Sequence, residues 1–299
     1  MSQTHDIGFY TDLLAQHQYA LIDRAAASAE MLAKFPLVPL IPDLLKNKDD
    51  IKLTPALLPL PSDAPYMALL AECMKAGEKD ASENPVDTLI VASPDVGQRL
   101  LEVHLTSRLI VYSPQGRAFL RYYSSDIFPH LVRVLSPERL KSLFGPREQV
   151  CQWTYRFQNE WISVHAPELT EGVPLSWMVS REERESLDLV GDVNKTLDAR
   201  QQKTGRPWNS HAEWNEQAAV AERSISVARR IHLLSAPADL IAFGTQALTH
   251  GEGFHRHPRI QSLLKDTASR PGAYRDATHG MTDDDWTAMA AELPPHKKH

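Results

Sequence analysis

"RAFLRYYSSDIFPHLVRVLSPERLKSLFGP", Arg117–Pro146, is the stretch on which the reading of the fold turns. An extended apolar run, Ala118 to Tyr123, stops at Ser124-Ser125-Asp126. Two short helical patterns follow, and the stretch closes on Phe144-Gly145-Pro146. A strand that runs straight into a helix often presents chemistry at the junction, and here a hydroxyl and an acid stand together. A nucleophilic hydroxyl needs an activating base, whereas capping accounts for the same residues without one. Ser125 or Asp126 is expected to cap the helix "IFPHLVRVL", and Ser136 to cap "PERLKSLF" with Pro137 at its first position. Arg121 faces the opposite side of its strand from Leu120 and Tyr122. It is expected to pair with a buried carboxylate as a structural device.

Upstream, residues 1–17 read as a short helix or arm, "YALID" (Tyr19–Asp23) as a strand, and "RAAASAEMLAKF" as helix on propensity. Seven of the 21 prolines fall between Pro36 and Pro65. They predict extended, irregular chain there rather than a core element. "APYMALLAECMKAG" predicts a helix stopping near Gly77, "EKDASENP" a polar loop, and "DTLIVAS" a short buried strand. Asp95 is placed to cap the helix "VGQRLLEVHLTSR". "LIVYS" and "RAFLRYY" flank the turn sequence "SPQG" and predict a hairpin. "QVCQWTYRF" and "EWISVH" predict a second one across "QN".

Past "APELTEGVPLSW" the strand signals vanish. Ser180 with Glu183 forms a capping box opening a helix through about Gln202. A second helix is expected from His211 to Leu234. Its two apolar stripes, Trp214/Ala218/Ala221/Ile225/Ala228 and Val220/Val227/Ile231/Leu234, place it centrally in a bundle. Shorter helices follow, and the tail "PPHKKH" reads as loose. The fold class is therefore an α+β N-terminal lobe, a mixed sheet with hairpins and flanking helices, followed by an all-α C-terminal lobe. The expected domains are residues 1–165 and 166–299.

Composition excludes some functions. The net charge of -6 argues against a nucleic-acid binder held by phosphate contacts. Two cysteines, Cys73 and Cys151, supply neither a disulfide framework nor a cysteine metal site. No apolar run is long enough to span a membrane, and "MSQTHDIGFYTDLLAQHQ" lacks the features of a secretory signal. Together these predict a cytoplasmic protein. No G-x-S-x-G, Walker, G-x-G-x-x-G or H-E-x-x-H motif occurs, and no cofactor is expected. His250, His255 and His257 in "HGEGFHRHP", with Glu252 nearby, form the one metal-like cluster. The alternative is a Gly-rich turn whose histidines favour a helix C-terminus. Trp153, Trp161 and Trp177 cluster near the domain boundary, where an exposed one would mark a partner site.

The ordered boxes "YALIDRA", "APYMALL", "RAFLRYYSSDIFPHLVRVLSPERLKSLFGP" and "QWTYRFQNEW" resemble the type VI secretion effector adaptor family, the Tap or Tec chaperones. The likeness spans about residues 19–165, and "LTHGEGFHRHPRIQSLL" resembles the family's helical C-terminal lobe. Arg121, Tyr122 and Tyr123 match the family's junction, and Leu143, Phe144, Gly145 and Pro146 its second box. Ser124-Ser125-Asp126 departs from the family's Asp-Pro-Arg form. The resemblance implies a chaperone, not an enzyme. It would bind a toxic effector in the cytoplasm and help load it onto the VgrG spike for export. The effector's N-terminal segment is expected in a cleft lined mainly by the helical lobe, with Trp177 and Trp214 as contacts. The competing expectations are an α+β hydrolase or metal-dependent enzyme using the histidine cluster, and a structural subunit of an assembly.

Overall fold

The structure is a computed structural model and describes residues 5–46, 49–78, 84–145, 149–158, 160–168, 176–268 and 270–292. The expected lobes are present, α+β first and all-α second. The chain divides into compact units at Met1–Arg184 and Glu185–His299, later than the expected 165/166. The reason is that residues 176–184 stay with the first unit. The Trp177 indole Nε1 donates to the Ile110 carbonyl at 2.9 Å, and the Val179 amide donates to that of Tyr112 at 2.9 Å.

In the first unit, β1 (Tyr19–Ile22), β2 (Val38–Pro39), β3 (Ala56–Pro59), β4 (Val86–Ala92), β7 (Val150–Phe157) and β8 (Glu160–His165) form one sheet. Its order is β2-β3-β1-β4-β7-β8, and each pairing is antiparallel. β5 (Ile110–Ser113) and β6 (Gly116–Phe119) make a separate hairpin across Pro114-Gln115. Strand alternation sends side chains to two faces. On one face Ala20, Ile22, Leu58 and Leu89 pack with α1 (Ile7–Ala15) and α3 (Met67–Ala76). On the other, Trp153 is stacked by Phe128 at 5.0 Å and met edge-on by Tyr122 at 5.5 Å and Phe144 at 6.1 Å.

Several local expectations are corrected. The proline-rich segment does contain a core strand: Ala56, Leu57 and Leu58 of β3 are fully buried between β2 and β1. Pro55 just before it and Pro59 at its end fall where a missing amide does least harm. "RAAASAEMLAKF" is helical only as α2 (Ala29–Leu32). Asp23 turns the chain first, its Oδ1 accepting the Ala25 amide at 2.9 Å, a local bond that competes with helix. β6 ends at Phe119, so Arg121 to Tyr123 lie in loop and turn. α4 (Gln98–Arg108) has Gly97 as N-cap, without side-chain capping, so Asp95 does not cap it. α5 (Phe128–Val134) and α6 (Pro137–Phe144) complete the unit. Ser136 caps α6, accepting the Arg139 amide as expected. Pro146, "PPHKKH" and parts of "EKDASENP" and "APELTEGVPLSW" lie outside the described residues.

The capping box is present: the Ser180 amide donates to Glu183 Oε2 at 2.6 Å and the Glu183 amide to Ser180 Oγ at 3.1 Å. The helix it opens is split, however, into α7 (Arg181–Leu187) and α8 (Val190–Thr204). At the break the Leu189 amide bonds back only three residues, to Ser186. α9 (His211–Arg230), α10 (Pro237–His250), α11 (Pro258–Thr267), α12 (Ala273–His279) and α13 (Asp283–Glu292) follow. The central helix is α10, which packs on α8, α9 and α12. A Cβ on its Gly244 would lie 2.8 Å from Thr196 Cγ2 of α8, so the close approach of these helices requires glycine. α9 buries a single stripe through Trp214, Ala218, Ala221, Ile225 and Ala228. It stops before Ile231, which is 67% exposed. Among the described residues no helix is long and apolar enough to cross a membrane.

Candidate functional site

The junction at residues 121–128 is held on every side. Arg121 Nη2 donates to Asp23 Oδ2 at 2.5 Å, the buried carboxylate expected of it. The Tyr122 hydroxyl donates to the Leu105 carbonyl at 2.8 Å and the Tyr123 hydroxyl to that of Leu53 at 2.6 Å. Thr88 Oγ1 reaches the Tyr123 carbonyl at 2.7 Å. The expected cap is corrected: α5 begins after Ile127 with no side-chain cap. Ser124 takes over the turn instead. Its hydroxyl accepts the Asp126 amide at 3.3 Å, and its carbonyl accepts the amides of Ile127 and Phe128. With the hydroxyls of Tyr122, Tyr123 and Ser124 engaged with backbone groups, the junction is built as a corner of the fold.

Asp87 stands beside this corner. β4 carries a bulge there: Leu21 faces Thr88 and Ile22 faces Val86, leaving Asp87 as the extra residue. Burial, then repulsion from Asp23 and Asp126, raises its carboxyl to about 7, against the pull of Arg121 and Arg156.

The histidine cluster is dispersed. His250 stacks on Trp286 at 4.6 Å, and Glu252 is held by Arg223 through two bonds of 2.9 and 3.0 Å. His257 caps α11 by accepting the Arg259 amide on Nδ1, and its Nε2 lies 3.0 Å from Glu292. His255 Nδ1 lies 3.1 Å from His232 Nε2. Burial, with His232 and Arg256 beside it, lowers His255 to about 4, so one neutral ring donates to the other. Among the described residues no group of three or more His, Cys, Asp or Glu side chains converges as a metal site.

The feature that sequence reading missed is a groove of about 1050 Å³ on the first unit. The proline-rich segment from Val38 to Leu44 forms one wall and α4 another. Tyr112 of β5, with Ser176, Trp177 and Met178, forms the third. Leu44, Val103, Tyr112 and Met178 stand 43%, 53%, 45% and 54% exposed around it. Exposed apolar side chains scattered singly are ordinary; four around one concavity are not. The charges along it are mostly matched: Lys46 with Asp43 at 2.6 Å and Arg99 with Glu102 at 3.1 Å. Arg108 is the exception. Its guanidinium lies 5.2 Å from the Trp177 ring centroid, and its buried Nε has no hydrogen-bond partner. Among the described residues it pairs with no carboxylate. Burial lowers its pKa, though an arginine keeps its charge. One sequence signal existed for this groove: α4 carries Leu100 and Val103 on the side away from Leu101 and Leu105, an apolar excess that its own core does not consume.

Of the expected partner contacts, Trp177 is half-buried in the groove wall with its indole nitrogen committed. Trp214 is corrected: it is buried in α9 and stacked on His211 at 6.0 Å, so it offers no partner surface. The second unit has a smaller groove, about 580 Å³, between α8, α10, α12 and α13. None of the exposed large apolar residues lines it. No family model, curated protein or solved structure matches the chain.

Proposed function

We propose that this chain is a non-enzymatic adaptor of the type VI secretion kind. It binds a toxic effector polypeptide in the cytoplasm and helps load it onto the VgrG spike. The observation that carries this reading is the groove, with four large apolar side chains standing in water around it. Such a surface costs solubility unless a partner covers it. The lining favours a polypeptide over a reacting small molecule. Its polar side chains mostly neutralise one another pairwise instead of converging on a reacting atom. The resemblance at Arg121–Tyr123 and Leu143–Gly145 names the kind of partner. The expected place of the effector moves with the groove, from the helical lobe to the α+β lobe.

The test is coexpression of the tagged chain with the reading frames that flank its gene, among which a toxin and a spike protein are expected. Wild type is expected to retain the toxin. A Val103→Asp, Met178→Asp variant, folded by circular dichroism, is expected to lose it. Retention by the variant, or no retention by wild type, overturns the reading.

A further inference from the structure

The groove also specifies the form and charge of what it takes. We propose that its occupant is an amphipathic helix of the partner, apolar on the face that enters and carrying one carboxylate that pairs with Arg108. This rests on the reading of the groove as a polypeptide site.

The helical form follows from the groove's strand edges. An extended peptide binds a domain by adding a strand to an open edge, where backbone donors and acceptors wait in a row. Among the described residues this groove has no such row. β2 is an edge strand, but it has two residues and one of them is Pro39, which donates nothing. β5 is paired with β6 on one side. On the other side residues 177–179 already occupy its edge: a parallel bridge joins Tyr112 and Met178, and the Val179 amide and Trp177 indole take the Tyr112 and Ile110 carbonyls. An entering chain must therefore satisfy its own backbone, which a helix does, and bind through side chains. Leu44, Val103, Tyr112 and Met178, from three different walls, offer the apolar surface that a helix's i, i+3, i+4, i+7 stripe would cover.

The charge follows from Arg108. It ends α4 inside the groove, its guanidinium 5.2 Å from the Trp177 ring centroid and its Nε buried without a partner. The other cations along the groove, Lys46 and Arg99, already have carboxylates. A partly desolvated guanidinium is worth most to a ligand that brings the missing acceptor, and its fork matches a carboxylate bidentately. A partner without an acid leaves it buried and unmet, which discriminates against that partner.

The test selects ligands without assuming the partner. A displayed library of helical peptides, randomised on one face, is panned on the full chain, with Val103→Asp, Met178→Asp protein as competitor to isolate groove binders. Enriched sequences are expected to share a stripe of large apolar residues and one Asp or Glu at a constant register. For the best peptide, acid→amide replacement is expected to weaken binding to wild type roughly ten- to hundredfold. On Arg108→Met protein the same replacement is expected to cost less than threefold. Because the first comparison changes only the peptide, it holds even if Arg108→Met loosens the wall at Trp177. Groove binders without a common acid, or acid→amide losses equal on both proteins, overturn the role of Arg108 and leave the adaptor reading standing. Binders that are extended or proline-rich overturn the helix. Recovery of no groove binder at all overturns the polypeptide site itself and the inference with it.

Discussion

Asp87 should make this protein less stable as the pH rises from about 4 to neutrality. Its carboxyl sits in the β4 bulge with Asp23 and Asp126 near it, and Arg121 and Arg156 as the opposing charges. Burial and the two acids raise it from 3.8 to about 7. A group raised on folding contributes stability that is complete below its unfolded pKa and is lost as pH climbs through the folded one. A rise of that size corresponds to roughly 4 kcal/mol. This is a ceiling, since Asp87 is only half-buried and water screens part of the repulsion; about 2 kcal/mol is the working expectation. Asp87→Asn keeps the shape and removes the charge, so the comparison isolates this carboxyl. Urea denaturation of both proteins from pH 3 to pH 8.5 should show near-equal stability at the acid end, below about pH 4. The variant should be ahead by about 2 kcal/mol at the basic end, with the divergence growing between about pH 4 and 7, the unfolded and folded pKa values, and level above. Burial lowers His17, His104 and His255. They act in the opposite sense, costing stability as pH falls, and they cancel in the difference between the two proteins. A difference that stays flat across the range would refute the reasoning.

Gly145 holds φ 103°, and a Cβ there would sit 1.8 Å from Gln149 Oε1 and 3.1 Å from His104 Cε1; Gly145→Ala should destabilise by about 2 kcal/mol or more, read as a fall in the urea midpoint. Ser136→Ala removes the α6 cap and should cost about 1 kcal/mol. Ser125→Ala, at a residue that does not cap α5, should fall within about 0.5 kcal/mol of wild type; a loss equal to that of Ser136→Ala would restore Ser125 as a cap. Elemental analysis of the purified protein should find no stoichiometric zinc, manganese or iron. A metal that survives dialysis and is lost in His255→Ala, His257→Ala protein would restore the metal reading.

Where a bond partner lies within a few residues, the elements were legible in the chain. Gly77 ending α3, the "SPQG" hairpin, Ser136 with Pro137 opening α6, the Ser180–Glu183 box and the β7–β8 hairpin all draw on neighbours close in sequence. The partition into an α+β half and a helical half was legible for the same reason, since it rests on the periodicity of successive segments. The pairing of Arg121 with a carboxylate could be expected from its chemistry, but not that Asp23, 98 residues away, would supply it. β3 is the clearest failure. Proline density reads as irregular chain, yet Ala56–Pro59 forms a core strand once β1 and β2 lie on either side, and strand pairing is not a local property. The groove belongs to the same class. Leu44, Val103, Tyr112 and Met178 are unremarkable apolar residues in four separate segments, and only folding brings them around one concavity. Arg108 acquires its meaning there as well: its guanidinium is left half-buried, with Nε unmatched, beside Trp177, a fact that no window of sequence around it contains.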